Sequence, residues 1–287
     1  MDLDQVTSDE AADLIKKLEL RKAEIDTAEH SRDDYLSFVR AVWPEFIGGY
    51  HHRKIAQKFN LIKDGKLKRL IVNMPPRHTK SEFASFLFPA WMMGHNPKLK
   101  IIQTTHTAEL SYRFGRKVRN LMDQEEYKNV FKDISLSQDS KAAGRWETNM
   151  GGEYFAAGVG GAITGRGADL LIIDDPHSEQ DALSQTALDN AYEWYTSGPR
   201  QRLQPGGTIV VVMTRWSVKD LTGKLMSAQK EVKADQWEVI EFPAIFPETG
   251  NPMWPEYWKA DELLSVRASL SEQKWQAQWQ QQPVSEE

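Results

Sequence analysis

Apolar and polar positions alternate along this chain in two regimes. From Ser8 to Trp43 the spacing is helical. Ser8 is a candidate cap, with Asp9 and Glu10 near the positive helix start. Leu14, Leu18 and Ile25 form a loose apolar stripe. Ser31 is the expected cap of a second helix, with Tyr35, Phe38, Val39 and Val42 on one side. A third helix is expected over 51–62, ending at the turn signal Asp64-Gly65. Beyond it the regime changes. Short apolar runs suited to buried strands occupy 68–74, 99–105, 168–175 and 207–215, with a last candidate at 237–246. Two strands joined at Gly151-Gly152 are expected over 145–158. Helical periods fall between the runs, near 80–94, 108–122, 184–196 and 217–228. Pro89 should kink or shorten the first of these. Strands apolar on both faces, alternating with helices, predict an α/β fold with a mainly parallel central sheet. No internal repeat interrupts the pattern.

Composition narrows the chemistry. The 287 residues are 40% hydrophobic and 10% aromatic, enough for a substantial core. There is no cysteine, which excludes disulfides and thiolate metal sites and makes an intracellular protein the simpler expectation. No run of about 18 apolar residues suggests a membrane span, and the acidic start "MDLDQVTSDEAADL" is unlike a signal peptide. Residues 1–34 hold eleven Asp/Glu against five Lys/Arg, a balance of −6, so the remainder carries +1 of the net −5. That permits local basic patches; "KDGKLKR" (63–69) and "RFGRKVRN" (113–120) are the candidates for DNA phosphates, though such clusters are more often solvated faces.

Chemistry-bearing residues gather at the expected strand ends. "VNMPPRHTKSEF" (72–83) has the strand, loop and helix start of a phosphate loop, but not its glycines. Aligned on Lys80 and Ser81, Met74 and Thr79 occupy the two glycine positions, and Arg77 and His78 lie inside the loop. Lys80 would neutralise phosphates and Ser81 would ligate Mg²⁺. Thr79 would need a backbone usually left to glycine. The alternative is an ordinary strand–turn–helix. "LLIIDD" puts Asp174 and Asp175 at the carboxyl end of a buried strand, where α/β sheets bind ligands. One could hold Mg²⁺ and the other orient the attacking water; the bland reading is a polar strand end capping the next helix. "VVVMTR" ends a further strand at Thr214, whose hydroxyl could sense the γ-phosphate. The order of these three elements is not required by a generic α/β domain.

Together they resemble the ATPase domain of the large terminase subunit of tailed double-stranded DNA bacteriophages. "IVNMPPRHTKSEFASFLFPAWMMG" is similar to that family's variant phosphate loop, "GAITGRGADLLIIDDP" to its Arg-Gly segment and acidic strand, and "TIVVVMTRWSVKDLTGKL" to its coupling motif. The resemblance spans roughly residues 40–285. The family often has glycine where Thr79 stands and glutamate where Asp175 stands. The resemblance implies a RecA-like (ASCE-type) P-loop ATPase with an N-terminal helical lid over 1–45, a core over 46–265 and a linker over 266–287. It implies ATP and Mg²⁺ as cofactors, and double-stranded DNA, a portal protein, a small terminase subunit and a homo-oligomeric ring as partners. The setting would be the host cytoplasm during assembly. Lys80 and Ser81 match the phosphate-loop pair, Arg77 the arginine inside the loop, Asp174 the Mg²⁺ aspartate, Asp175 the catalytic carboxylate, and Thr214 and Arg215 the coupling motif. The adenine contact falls on Tyr50 and His51; His52 is expected on a helix face. Adjacent histidines do not give a metal spacing on a helix, which argues against zinc. Arg166, between Gly165 and Gly167, is expected on an exposed, tightly turned loop, either presented to a neighbour's γ-phosphate or held locally. Arg200 and Arg202 compete for that role. The family's RNase H-like nuclease would begin after "QWQQQPVSEE", so no nuclease is expected of these residues. Two other readings stand beside this one: a helicase-type DNA translocase, and a degenerate P-loop scaffold that binds DNA or portal protein without turnover.

Overall fold

In the computed structural model, which describes residues 8–139 and 142–285, with side chains from residue 11, the apolar runs become a single sheet. Its strands are β1 (Arg69–Asn73), β2 (Lys100–Thr105), β3 (Arg145–Glu147), β4 (Glu153–Gly158), β5 (Ala168–Asp174), β6 (Leu203–Met213) and β7 (Glu238–Glu241). Their order is β3-β4-β2-β5-β6-β1-β7. Every pair is parallel except β3–β4, which is antiparallel as the Gly151-Gly152 signal implied. Asp174 of β5 stands in register with Val212 of β6, and Asn73 of β1 with Met213, so three strand ends finish side by side.

The helices are α1 (Ser8–Asp33), α2 (Tyr35–Val42), α3 (Tyr50–Lys63), α4 (Phe88–His95), α5 (Ala108–Met122), α6 (Glu125–Val130), α7 (Glu179–Ala182), α8 (Gln185–Ser197), α9 (Leu221–Ala228) and α10 (Ala260–Ala268). Strand residues pointing to one face, such as Leu70, Val72, Ile101 and Ile172, pack on Tyr35, Phe59, Phe83 and Val118 from α2 to α5. Residues pointing to the other, such as Ile71, Leu171 and Val211, pack on Tyr195, Leu221 and Leu225 from α8 and α9. Each fully buried aliphatic or aromatic side chain contributes about 1.5–3 kcal/mol, so both helical layers are fixed to the sheet. A smaller cluster of Ala244, Leu263, Trp275 and Trp279 secures the C-terminal segment.

Three sequence expectations change, and one lies outside the described residues. The second helix is capped by Asp34, whose side chain accepts from Ser37 N, not by Ser31. The stripe of α1 does not face the core: Leu14, Leu18 and Ile25 are exposed. The Ser8 cap, with Asp9 and Glu10, involves side chains outside the described residues. Pro89 neither ends nor shortens its helix. The turn before it, Glu82–Leu87, is π-helical, and Phe88 N bonds to Phe83 O. This widened register precedes a helix with proline in its first turn. The Tyr35 hydroxyl also donates to Phe83 O.

Candidate functional site

β1 ends at Asn73, and the chain turns through Met74–Thr79 into the helix that starts at Lys80. Met74 continues the strand, its N–H bonded to Met213 O. It therefore does not need glycine's freedom. Thr79 does take the conformation expected of it, with φ of 66°, and Arg77 is also left-handed at 58°. Such residues cost about 1–3 kcal/mol each and persist only where surroundings hold them.

The acidic strand meets this loop. Lys80 Nζ lies 2.8 Å from Asp175 Oδ2. Thr214 N donates to Asp175 Oδ1 at 3.0 Å, while Thr214 Oγ1 donates to Met74 O at 3.0 Å. Thr214 thus ties the carboxylate to the base of the loop. Asp175 is itself left-handed, with φ of 42°. Burial opposes charge on Lys80, but the carboxylates of Asp175 and Asp174 more than offset this and raise its pKa. Asp174 is almost fully buried. Its Oδ2 accepts from Ser85 Oγ at 2.7 Å, and Ser85 Oγ accepts from Gln103 Nε2 at 2.9 Å. Its Oδ1 is buried without a hydrogen-bond partner. Burial first, then the Asp175 charge, raise the Asp174 pKa; Lys80 and the hydroxyls of Ser85 and Ser81 partly offset them. A desolvated carboxylate with a free oxygen, a like charge beside it and a serine hydroxyl nearby suits a divalent cation such as Mg²⁺. Ser85 and Gln103 escaped the sequence reading because their roles depend on the π-helical turn and on β2 lying next to β5.

The loop forms one wall of a cleft of about 610 Å³, within the range of small-molecule sites. Arg77, Lys80 and Ser81 line it, together with Trp43, Phe46 and Ile47 and with Arg113 and Lys117 of α5. Trp254 and Tyr257 also line it, stacked with ring centroids 4.5 Å apart. Tyr50 and His51 do not line it. Tyr50 sets its ring edge against Phe246 at 5.4 Å, outside the cleft. His51 is fully buried and its Nε2 bonds to His78 O at 3.0 Å, so no ring face is open to a base. The structure thus does not bring these two residues, expected at the adenine, to the cleft. The aromatic groups that do face the cleft come from segments far apart in sequence. His52 and His78 are also buried. Burial is the main cause lowering His51 to about 3 and His78 to about 4, and it depresses His52 further, so all three are neutral.

The arginines lie elsewhere. Arg166 is not on an open loop: its guanidinium sits 4.3 Å from the Phe155 ring centre and 3.5 Å from Glu153 Oε2. Phe155 is level with Leu171 through Ile102. That is about 10 Å of strand short of Asp174, on the face opposite the phosphate-loop helix. Arg200 is held by Asp235 at 2.7 Å, which also pairs with Arg69 at 3.0 Å. Arg202 Nε is buried without a partner. Of the two basic segments, 63–69 is largely committed: Lys63 pairs with Asp64 and Arg69 with Asp235. In 113–120, Arg113 and Lys117 belong to the cleft.

Arg215 Nε lies 3.0 Å from Asp220 Oδ2, and Asp220 caps α9. Its N–H donates to Gln281 Oε1 at 3.0 Å, which ties the motif to the C-terminal segment.

Among solved structures, the chain is similar to the large terminase ATPase domain of Thermus phage P74-26, crystallised as an arginine-to-alanine mutant. The TM-score is 0.55 at 13% identity, covering 86% of this chain and 98% of that one. It is also similar to a large terminase from a thermophilic bacteriophage in complex with ADP, with TM-score 0.47, 9% identity, and 77% and 51% of the two chains covered. The large terminase of bacteriophage HK97 gives TM-score 0.43, 13% identity, and 78% and 46% covered. The chain thus spans about half of these last two proteins. No protein-family model and no curated protein matches it. The fold is that of a large terminase ATPase domain, α/β with a mostly parallel sheet and N-terminal helices. Among the described residues no helix is long and apolar enough to cross a membrane.

Proposed function

We propose that this chain is the ATPase motor domain of a terminase large subunit, hydrolysing ATP to drive double-stranded DNA into a procapsid. The observation that carries the reading is the convergence of Lys80, Asp175 and Thr214 at three adjacent strand ends beside a cleft. Lys80 and the loop N–H groups bind the phosphates. Asp174 and Ser81 would hold Mg²⁺, which supplies charge neutralisation of the β- and γ-oxygens. Asp175 orients and deprotonates the attacking water. Without nucleotide its carboxylate is engaged by Lys80 and Thr214 N–H. Phosphates that draw Lys80 away free the Asp175 carboxylate for the water, which links the base to substrate binding. Thr214 contacts both Asp175 and the loop, so it registers that exchange. Arg215 relays it to Asp220 and Gln281. The base lies against Trp254 and Tyr257 in place of Tyr50 and His51.

Arg166 acts on a neighbouring subunit. Its position on the face opposite the phosphate-loop helix, set back from Asp174 along the strands, supports action in trans within a homo-oligomeric ring. Of the segment 1–45, the described helices α1 and α2 serve as the lid, and 266–285 serve as the linker, with the portal protein and a small terminase subunit as partners in the host cytoplasm. The helicase-type reading has nothing in its favour among the described residues, which form one sheet. The test is hydrolysis. Purified protein should release phosphate from ATP only with Mg²⁺, and Lys80→Ala should reduce that to background with an unchanged circular dichroism spectrum. Hydrolysis undiminished in Lys80→Ala would remove the assignment.

A further inference from the structure

The phosphate loop turns left-handed at a threonine, and a buried histidine one helix away holds that threonine's hydroxyl. We propose that His52 is a positioning residue for nucleotide binding: through the Thr79 hydroxyl it fixes the loop backbone that glycine would otherwise adopt unaided. The inference rests on the reading of the cleft as a nucleotide site.

The hydrogen bonds leave one arrangement of protons. Gly49 N–H donates to His52 Nδ1 at 2.9 Å, so that nitrogen carries no proton. The ring proton is then on Nε2, which donates to Thr79 Oγ1 at 2.7 Å. Thr79 Oγ1 in turn donates to His78 O at 2.6 Å. His51 Nε2 donates to the same carbonyl at 3.0 Å, and His78 Nδ1 donates to Pro76 O at 2.8 Å. A directed chain thus runs from the start of α3 to the peptide joining His78 and Thr79, next to Lys80. It fixes the peptide that precedes the left-handed residue, whose φ is 66°. Gly49 is required at the start of this chain: a Cβ there would lie 2.5 Å from Trp254 Cδ1. Trp254 packs edge-on against the His52 ring at 5.0 Å, closing the cluster.

A purely structural histidine would support the fold whatever stood at position 79. A positioning histidine matters only while residue 79 needs holding. The experiment is therefore a set of substitutions read by calorimetric binding of MgATP, with thermal unfolding alongside. Thr79→Ser keeps the hydroxyl, and Thr79→Gly removes the need for it. Both should bind within about threefold of the parent. Thr79→Ala lacks both and should bind about tenfold more weakly, the loss expected for one buried hydrogen bond. His52→Ala should also lose about tenfold, but His52→Ala placed on Thr79→Gly should lose less than about twofold further, because glycine needs no support. Equal losses from His52→Ala in both backgrounds overturn the proposal and leave the nucleotide site standing. If His52→Ala does not fold, the Thr79 series decides alone, and Thr79→Ala binding as well as Thr79→Gly overturns it. A parent protein that binds no MgATP overturns the site reading and this inference together.

Discussion

The two edges of the sheet treat charge differently. At the carboxyl edge, Lys80, Asp174 and Asp175 are brought together with their pairing incomplete: Asp174 Oδ1 has no partner, and its pKa is raised. Around Asp235 at the amino edge, pairing is mutual. Asp235 takes Arg200 at 2.7 Å and Arg69 at 3.0 Å, and its own pKa is lowered despite partial burial. Incomplete pairing costs stability and is retained where a ligand completes it. Complete pairing is what a scaffold needs. Arg166 falls between the two. It has one 3.5 Å contact to Glu153 and a stacking contact with Phe155, a weaker hold than that on Arg200. Of these two, Arg166 is the less firmly held, which is the arrangement the proposed role in trans requires.

The largest expected effect tests that distinction. An arginine supplied in trans is worth roughly 10³–10⁵ in phosphoryl transfer. Activity per molecule should rise with protein concentration, and Arg166→Ala should remove the rise while sparing nucleotide binding. Arg200→Ala should not. Mixing Lys80→Ala with Arg166→Ala should restore part of the hydrolysis, since some interfaces then pair an intact loop with an intact arginine. No recovery in oligomers shown to be mixed would return the role to Arg202 or to action within one chain.

Next come the carboxyl-edge groups. Asp175→Asn should retain MgATP binding and lose turnover by about 10²–10⁴, because an amide cannot take a proton from water. Parallel loss of binding would show that Asp175 serves the cation as well. Ser85→Ala is the milder version. It removes the donor to Asp174 Oδ2, and groups of this kind typically cost 10–100-fold in metal affinity. The Mg²⁺ concentration for half-maximal activity should rise within about that range, with kcat at saturating Mg²⁺ little changed. A fall in kcat alone would mean that Ser85 acts on something other than the cation.

These differences bear on what the chain reveals before it folds. The parallel sheet, the strand-end residues Lys80, Asp174, Asp175 and Thr214, and the left-handed Thr79 were legible, because each follows from a local pattern. Three things were not. The cleft's aromatic wall joins Trp43 and Phe46 to Trp254 and Tyr257, and no local spacing records such a meeting. The burial of His51, His52 and His78 was not legible, because burial of a neutral imidazole leaves no mark on composition. Pro89 was expected to kink or shorten its helix, and that the helix runs on to His95 was not legible, because a π-helical turn ahead of it cannot be read from proline alone. Exposure misled at α1 too, where the apolar stripe faces outward.

The smallest effect belongs to the amino edge and checks its inertness. Asp235 is about a quarter exposed and Arg200 about a third, so the network is screened and contributes a few tenths to about 1 kcal/mol. Burial pushes the Asp235 pKa up, but Arg200 and Arg69 outweigh it and hold it below its ordinary 3.8. A carboxylate with a depressed folded pKa stabilises above the unfolded value and loses that contribution as pH falls through the folded one. Asp235→Asn should therefore lower the thermal midpoint slightly at pH 7, and the gap from the parent should narrow as the pH drops below about 4. Hydrolysis per folded molecule should be unchanged throughout. A gap that persists at low pH would assign the effect to packing. Lost hydrolysis in a folded Asp235→Asn would mean that the paired edge takes part in the reaction, and the division between the two edges would then be wrong.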